Sequence, residues 1–262
     1  MTRLASDWIG SLLQARRSGA PFGVHPSELQ CGLPEAYALQ HTHLQRVLQQ
    51  DGDAVHGAKL SVTSAPALER LGLKAPLLGP ILRGRSHASG VVLPRSRFFA
   101  CILEAEIGFV LGADLDARDG APPREAVADA IAAAFPCIEI ADSRYAQWAE
   151  APACAIVADL AYAGDWVRGT DCAGWRALDL RTLPVTLSRD GEVIREGSGD
   201  AVLGDPLHAL ALAATEAATR GEVLRAGTLL STGACTAPWP APGAGSFVAE
   251  FGPLGSVTLT LT

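Results

Sequence analysis

Two glutamates sit two residues apart in the run Ile102-Leu103-Glu104-Ala105-Glu106-Ile107-Gly108-Phe109-Val110-Leu111. Read as a strand, this run places Leu103, Ala105, Ile107, Phe109 and Leu111 on one apolar face, which fixes its register. Glu104 and Glu106 then share the other face, roughly 7 Å apart along the chain. Carboxylates so placed repel one another and are costly to desolvate unless water or a cation compensates them. On its own the pair also reads as a solvated strand face. A second run, Phe135-Pro136-Cys137-Ile138-Glu139-Ile140-Ala141-Asp142, again sets a carboxylate inside a short apolar strand. Three glutamates in otherwise hydrophobic strands point to oxygen-only ligation, which suits a hard divalent cation, Mg²⁺ or Mn²⁺. No paired His or Cys spacing favours zinc. Asp142 falls on the face opposite Glu139 and, beside Arg144, reads as an ion-pair or turn residue.

The remaining chemistry-bearing residues give weaker patterns. His41 and His43 are two apart in an expected helix, so they diverge and do not form an i, i+4 metal pair. Asp114, Asp116 and Asp119-Gly120 lack the spacing and closing Glu of a calcium loop. Gly197-Ser198-Gly199 lacks the flanking pattern of a nucleophile elbow, and no phosphate-loop or dinucleotide glycine motif occurs. Cys31, Cys101, Cys137, Cys154, Cys172 and Cys235 are dispersed, which reads as reduced structural thiols in a reducing compartment.

The elements that must position the glutamates come in two blocks. Residues 1–55 show no strand alternation but two stretches of helical spacing, Asp7 to Arg17 and Leu33 to Gln49, and are expected to form a helical N-terminal region. Residues 56–262 are expected to form the β-rich domain that binds the metal. Within it one helix is expected from Arg124 to Phe135. Another is marked by Asp205 as N-cap, Pro206 at its first position, an Ala-rich run to Thr219, and Gly221 as its stop. Val185–Arg189 and Glu192–Ile194 flank Asp190-Gly191 as a hairpin, and Phe247–Phe251 and Val257–Leu261 form a second around Gly252-Pro253-Leu254-Gly255. Strands joined mostly by turns favour a mixed, largely antiparallel α+β architecture over a doubly wound sheet.

Composition excludes several functions. A formal charge of -7 and a pI near 5.4 argue against nucleic acid as a partner, because phosphate binding needs clustered Lys and Arg. The first residues, with an early Asp7, do not read as a secretory signal, and no apolar run approaches the ~20 residues of a membrane span. A cytoplasmic location and no membrane association are expected.

The runs Glu104–Asp114, Ile138–Arg144 and Phe251–Val257, with Glu35–Gln40, Lys59–Ser64 and Gly199–Leu207, occur in order along nearly the whole chain. Together they resemble the 2-oxopent-4-enoate hydratase and 4-oxalocrotonate decarboxylase family of the fumarylacetoacetate hydrolase-like superfamily. The resemblance implies a mixed β-roll with a helical N-terminal layer, Glu104, Glu106 and Glu139 as ligands of Mg²⁺ or Mn²⁺, a homo-oligomer, and a small 2-oxo acid as substrate. It implies that Lys59 is catalytic, as carboxylate anchor or as a proton carrier whose pKa the cation lowers. Without the resemblance, Lys59 reads as a surface lysine at a strand start. Leu60, Leu77, Leu160 and Tyr162 fall at positions that would meet substrate. Three of these depart from the family pattern: Ala75-Pro76-Leu77-Leu78-Gly79 replaces a segment with an acidic residue, and Asp159-Leu160-Ala161-Tyr162 replaces Asp-Asn-Ala-Ser. The implied reaction is hydration of a 2-hydroxydienoate to a 4-hydroxy-2-oxo acid. Decarboxylation of a 2-oxo diacid is the alternative, and C–C hydrolysis, tautomerisation and a non-catalytic partner subunit complete the set.

Overall fold

The structure, a computed structural model, describes residues 3–262. Helices α1 (Arg3–Ser18) and α2 (Leu33–Asp51) come first, and α2 stops where Gly52 takes the left-handed conformation. The chain then runs through β1 (Val55–Ser61), α3 (Ala65–Leu71), β2 (Leu77–Leu82), β3 (Ser86–Ala88), β4 (Val91–Leu93) and β5 (Ile102–Leu111). Helix α4 (Arg124–Ala130) leads directly into β6 (Ile131–Ala141), followed by α5 (Ala153–Ala158), β7 (Asp165–Arg168), β8 (Pro184–Arg189) and β9 (Glu192–Ser198). Helix α6 (Pro206–Ala218) and strands β10 (Leu229–Ala234), β11 (Trp239–Pro240), β12 (Gly245–Glu250) and β13 (Ser256–Leu261) complete it.

The strands form two sheets. The larger has the order β2-β1-β10-β5-β6-β7-β3, with β11 pairing β5, and the smaller has the order β4-β13-β12-β8-β9. The pairs β1–β10, β3–β7 and β4–β13 are parallel and all other strand pairs are antiparallel, so the mixed, largely antiparallel reading holds. The two late hairpins form as expected. Asp190 (φ 52°) and Gly191 (φ 85°) both turn left-handed between β8 and β9, the conformation a tight hairpin of right-twisted strands requires. Asp205 caps α6 by accepting from the Leu207 N–H at 2.9 Å.

The helix expected from Arg124 to Phe135 ends five residues early. Ile131-Ala-Ala-Ala-Phe135 has helix-forming composition, but long-range pairing with β5 outweighs local propensity. Gly108 makes the pairing possible, since a Cβ there would stand 2.1 Å from the Phe135 ring.

One face of the large sheet, with Leu103, Ala105, Ile107 and Phe109, packs into a continuous core shared with Phe247 and Leu259 of the small sheet and with Trp8 and Leu12 of α1. The other face is covered at one end by Ile81, Phe135, Trp166 and Leu229. Helix α2 is tied to the sheet and to α5 by polar contacts: Gln40 Nε2 donates to Leu78 O and Val157 O, and Tyr37 Oη accepts from the Leu78 N–H. His43, 1 % exposed, has one ring nitrogen 2.9 Å from Ala158 O, and burial pulls its pKa down to about 3, so it is a neutral packing residue. Among the described residues no helix is long and apolar enough to cross a membrane.

Candidate metal centre

Strands β5 and β6 pair with Glu104 opposite Glu139 and Glu106 opposite Cys137. Side chains directly opposite, and those two residues along, share a face. All three glutamates therefore converge, with one carboxylate oxygen of each within 4.8 Å of the others. They are the one such metal-competent group among the described residues. Glu106 and Glu139 are 0 % and 2 % exposed, and Glu104 is half-buried.

Burial, reinforced by Glu139 and Glu104, pushes the Glu106 pKa well above the usual carboxylate range. Burial raises Glu104 too, and raises Glu139 to about 7 against the opposing pull of Lys59. Glu106 Oε1 and Glu139 Oε2 are buried without a hydrogen-bond partner. Native structures rarely leave buried acceptors this way. Clustered, desolvated, all-oxygen donors with unfilled acceptor positions fit a hard divalent cation.

Lys59 comes from β1, whose register sets it beside Ser231 of β10 and Gly79 of β2. It is 3 % exposed, so the reading of a surface lysine is wrong. Its Nζ lies 2.5 Å from Glu139 Oε1 and donates to Ala161 O at 3.0 Å. Burial alone would lower its pKa, but Glu139, Glu104 and Glu106 outweigh this and raise it. One ammonium therefore faces three carboxylates, which leaves the centre with an excess of negative donors.

Two residues of the centre were not singled out in the sequence. Ser231 Oγ donates to Glu106 Oε2 and accepts from Trp166 Nε1 at 3.2 Å. Cys137 Sγ, whose thiol pKa burial pushes well up, donates to Glu106 O. Partners of this kind orient a ligating carboxylate. The available signal was a serine inside the apolar run Leu229-Leu230-Ser231, the same anomaly that marked Glu139.

A cavity of about 390 Å³ opens beside Glu104, with Leu60, Thr63, Ala67, Thr236 and Pro238 on its wall. Of the four residues expected at substrate, Leu60 lines it. Leu77, 1 % exposed, is paired with Ser61 two positions from Gly79, and so lies on the Lys59 side of the sheet. Leu160 does not reach the cavity; its side chain packs with Ile9, Leu13 and Leu39 of the helices. Tyr162 Oη is likewise taken up, donating to Trp148 O at 3.0 Å.

What this segment offers the centre is main chain. Leu160, Ala161 and Tyr162 all have positive φ (55°, 50° and 62°), a left-handed turn that costs roughly 1–2 kcal/mol per non-glycine residue. Gly79 leaves room for the turn, since a Cβ there would meet Leu160 O at 2.6 Å. The turn aims Ala161 O at Lys59. It is anchored by Asp159, which pairs with Arg144 Nε at 2.7 Å. Arg144 thus finds Asp159 rather than Asp142, whose Oδ1 instead accepts from the N–H groups of Ala100 and Cys101.

Comparison with known proteins gives concordant findings. The family model described as fumarylacetoacetate (FAA) hydrolase C-terminal matches residues 81–262. A 2-keto-4-pentenoate hydratase of Paraburkholderia xenovorans (strain LB400) is 36% identical over 225 residues, 86% of this chain and 82% of the relative. A 4-oxalocrotonate decarboxylase of Pseudomonas putida is 33% identical over 86% of this chain and 83% of its own length. A solved 4-oxalocrotonate decarboxylase from Pseudomonas putida G7, complexed with magnesium and adipate, superposes with a TM-score of 0.89 at 28% identity, covering 100% of this chain and 99% of that one.

Proposed function

We propose, on the premise that this chain belongs to the fumarylacetoacetate hydrolase C-terminal family, that it is a divalent-metal-dependent lyase acting on a small 2-oxo acid or its dienol, foremost as a 2-keto-4-pentenoate hydratase. The observation that carries the reading is the buried cluster of Glu104, Glu106 and Glu139 against Lys59, beside a cavity wide enough for a small acid. The three glutamates would hold the cation, Mg²⁺ or Mn²⁺. When bound, the cation supplies an electron sink for the 2-oxo group and stabilises enolate character. Residues 56–262 carry these groups, and the helices of residues 1–55 brace the β2 end of the sheet.

Lys59 acts from the floor of the centre. Its Nζ carries a proton or anchors the substrate carboxylate, held in place by Glu139 and by Ala161 O. Ser231 and Trp166 fix the orientation of Glu106. Leu60 presents an apolar wall to the hydrocarbon part of the substrate. In hydration, the dienol ketonises and water adds to the resulting enone. In decarboxylation, the bond to a remote carboxylate breaks, CO₂ departs, and the electron pair left behind is delocalised towards the 2-oxo group until a proton replaces the lost CO₂.

The decarboxylase is kept as a second reading because Leu77, on the Lys59 side of the sheet, is apolar where an acidic residue would help to activate water. The working unit is a cytoplasmic homo-oligomer. Assay of the purified chain with 2-hydroxypenta-2,4-dienoate and with a 2-oxo diacid, each with Mg²⁺, Mn²⁺ or a chelator, tests the reading. Metal-dependent turnover of either supports a lyase, and the ratio assigns the reaction. Turnover of neither, with metal bound, overturns the lyase reading and leaves C–C hydrolysis, tautomerisation or a non-catalytic partner subunit.

A further inference from the structure

A second polar cavity, about 40 Å³, lies where the end of α1 meets the segments that precede β5 and follow β6. Its wall gathers four guanidinium groups, those of Arg16, Arg85, Arg97 and Arg144. Carboxylates answer only part of this charge. Arg144 Nε is paired with Asp159 at 2.7 Å. Asp165, 0 % exposed in its side chain, is shared by Arg85 (3.1 Å), Arg97 (3.0 Å) and His87 (2.7 Å). Asp142, also on the wall, spends Oδ1 on two backbone N–H groups.

Arg16 is left over. Its side chain is 10% exposed, its Nε and Nη2 are buried without a hydrogen-bond partner among the described residues, and the carboxylate that approaches it, Asp51 Oδ2, is 3.9 Å away. Burial, and then Arg144 and Arg85, pull its pKa down to about 10, which still leaves it charged at neutral pH. A buried guanidinium with one long ion pair and no hydrogen bond at Nε or Nη2 is costly unless a further anion meets it. Each guanidinium has five N–H donors in a planar fork, so Arg85 and Arg97 retain donors beyond those Asp165 takes. The cavity is several times the roughly 10–15 Å³ that one water needs.

We propose that this cavity binds a small oxyanion, a phosphate or carboxylate group, held by Arg16 together with the remaining N–H groups of Arg85 and Arg97. Such forks match the oxygen spacing of these anions. The site is separate from the three glutamates, and the proposal stands independently of the lyase reading. Arg85 also borders the narrow gap that reaches Lys59 and Glu139, so the two sites are neighbours.

Titration calorimetry tests this on the magnesium-loaded full chain in a non-coordinating buffer, with inorganic phosphate and, separately, acetate as probes. Saturable binding of at least one is expected. Arg16→Gln, with an unchanged circular dichroism spectrum, should weaken it roughly tenfold to a hundredfold, the range for one charge-assisted hydrogen-bond partner. The exposed neighbour change Arg17→Gln should not. Tighter phosphate binding identifies a phosphate source, and tighter acetate binding a carboxylate. Equal affinity in Arg16→Gln, no saturable heat from either probe, or the same heat from sodium chloride at matched ionic strength overturns the proposal. Should Arg16→Gln not fold, Arg97→Gln carries the same expectation and the same power to overturn it.

Discussion

Glu104 and Glu139 face each other directly across the β5–β6 pair, with Glu106 one diagonal away. Like charges so opposed destabilise a sheet, and here they are desolvated as well. The strands that build the centre are thus less stable without a cation than with one, so binding and folding are linked.

Addition of Mg²⁺ should therefore raise the thermal midpoint, and a chelator should reverse it. Glu104→Gln removes one repelling charge, worth about 0.2–1 kcal/mol across a strand pair. It should raise the metal-free midpoint by up to about 4 °C for a chain of this size while shrinking the increment that Mg²⁺ adds. Thermal scans with and without metal read both. An unchanged wild-type midpoint at saturating Mg²⁺ and Mn²⁺ would remove the metal assignment.

Glu106 is the most enclosed of the three, with one oxygen engaged by Ser231 and the other free for the ion. Glu106→Gln keeps the shape and removes the charge. Turnover should fall at least a hundredfold with far-UV circular dichroism unchanged, and excess metal should restore part of it. Wild-type turnover at limiting metal would contradict the mechanism.

Ser231 donates to Glu106 and is not one of the three proposed ligands. Losing a partner that orients a ligating group typically costs 10–100-fold in metal affinity or activity. Ser231→Ala should weaken Mg²⁺ binding by that factor, measured by calorimetry, while Ser231→Thr retains most of it if the methyl is accommodated beside Trp166. An alanine variant with wild-type affinity would reduce Ser231 to a packing residue.

The β5–β6 pairing has its own test at Gly108. A Cβ there would stand 2.1 Å from the Phe135 ring, and the ring is confined by Trp166 at 5.8 Å and by the Arg168 guanidinium over its face. Overpacking of this kind costs about 1–3 kcal/mol. Gly108→Ala should lower the thermal midpoint by several degrees, and Gly108→Ala with Phe135→Leu should recover part of the loss. A neutral single variant would mean that the ring moves freely.

That same contact marks where sequence reading runs out. The faces of β5 were legible because alternation along one strand fixes them, and so the shared side of Glu104 and Glu106 was legible too. The switch from α4 to β6 at Ile131 was not, because Ala-rich composition favours helix locally and only pairing with a strand twenty residues away decides otherwise. Glu139 stood out as a charge among isoleucines. Ser231 left a weaker trace, a serine closing the apolar run Leu229-Leu230, and Trp166 none; neither can be tied to Glu106 until the register of β10 and β7 brings them there. The left-handed turn at Leu160–Tyr162 lies further beyond reach, because no residue in it prefers that conformation and tertiary contacts impose it.

Within the proposed function, Leu77 is the residue expected to bias the chain between hydration and decarboxylation. Its register beside Ser61, two positions from Gly79, puts it on the side of the sheet that carries Lys59 and the glutamates. An apolar side chain there does not orient an attacking water, whereas loss of CO₂ needs an electron sink and no activated water. Simple 2-hydroxypenta-2,4-dienoate should accordingly be hydrated by this chain, but more slowly than by a hydratase that carries an acidic residue at this position. Leu77→Asp should raise that rate, by about tenfold or more if the carboxylate reaches the substrate, and should leave decarboxylation of a 2-oxo diacid unchanged or lower. The variant places a charge at a buried position, so its thermal midpoint must be measured alongside; Leu77→Asn, uncharged and of the same size, separates instability from lost chemistry. Hydration by the unmodified chain on the order of 10 per second, a typical enzymic rate, would show that other groups position the water and that Leu77 does not limit the reaction.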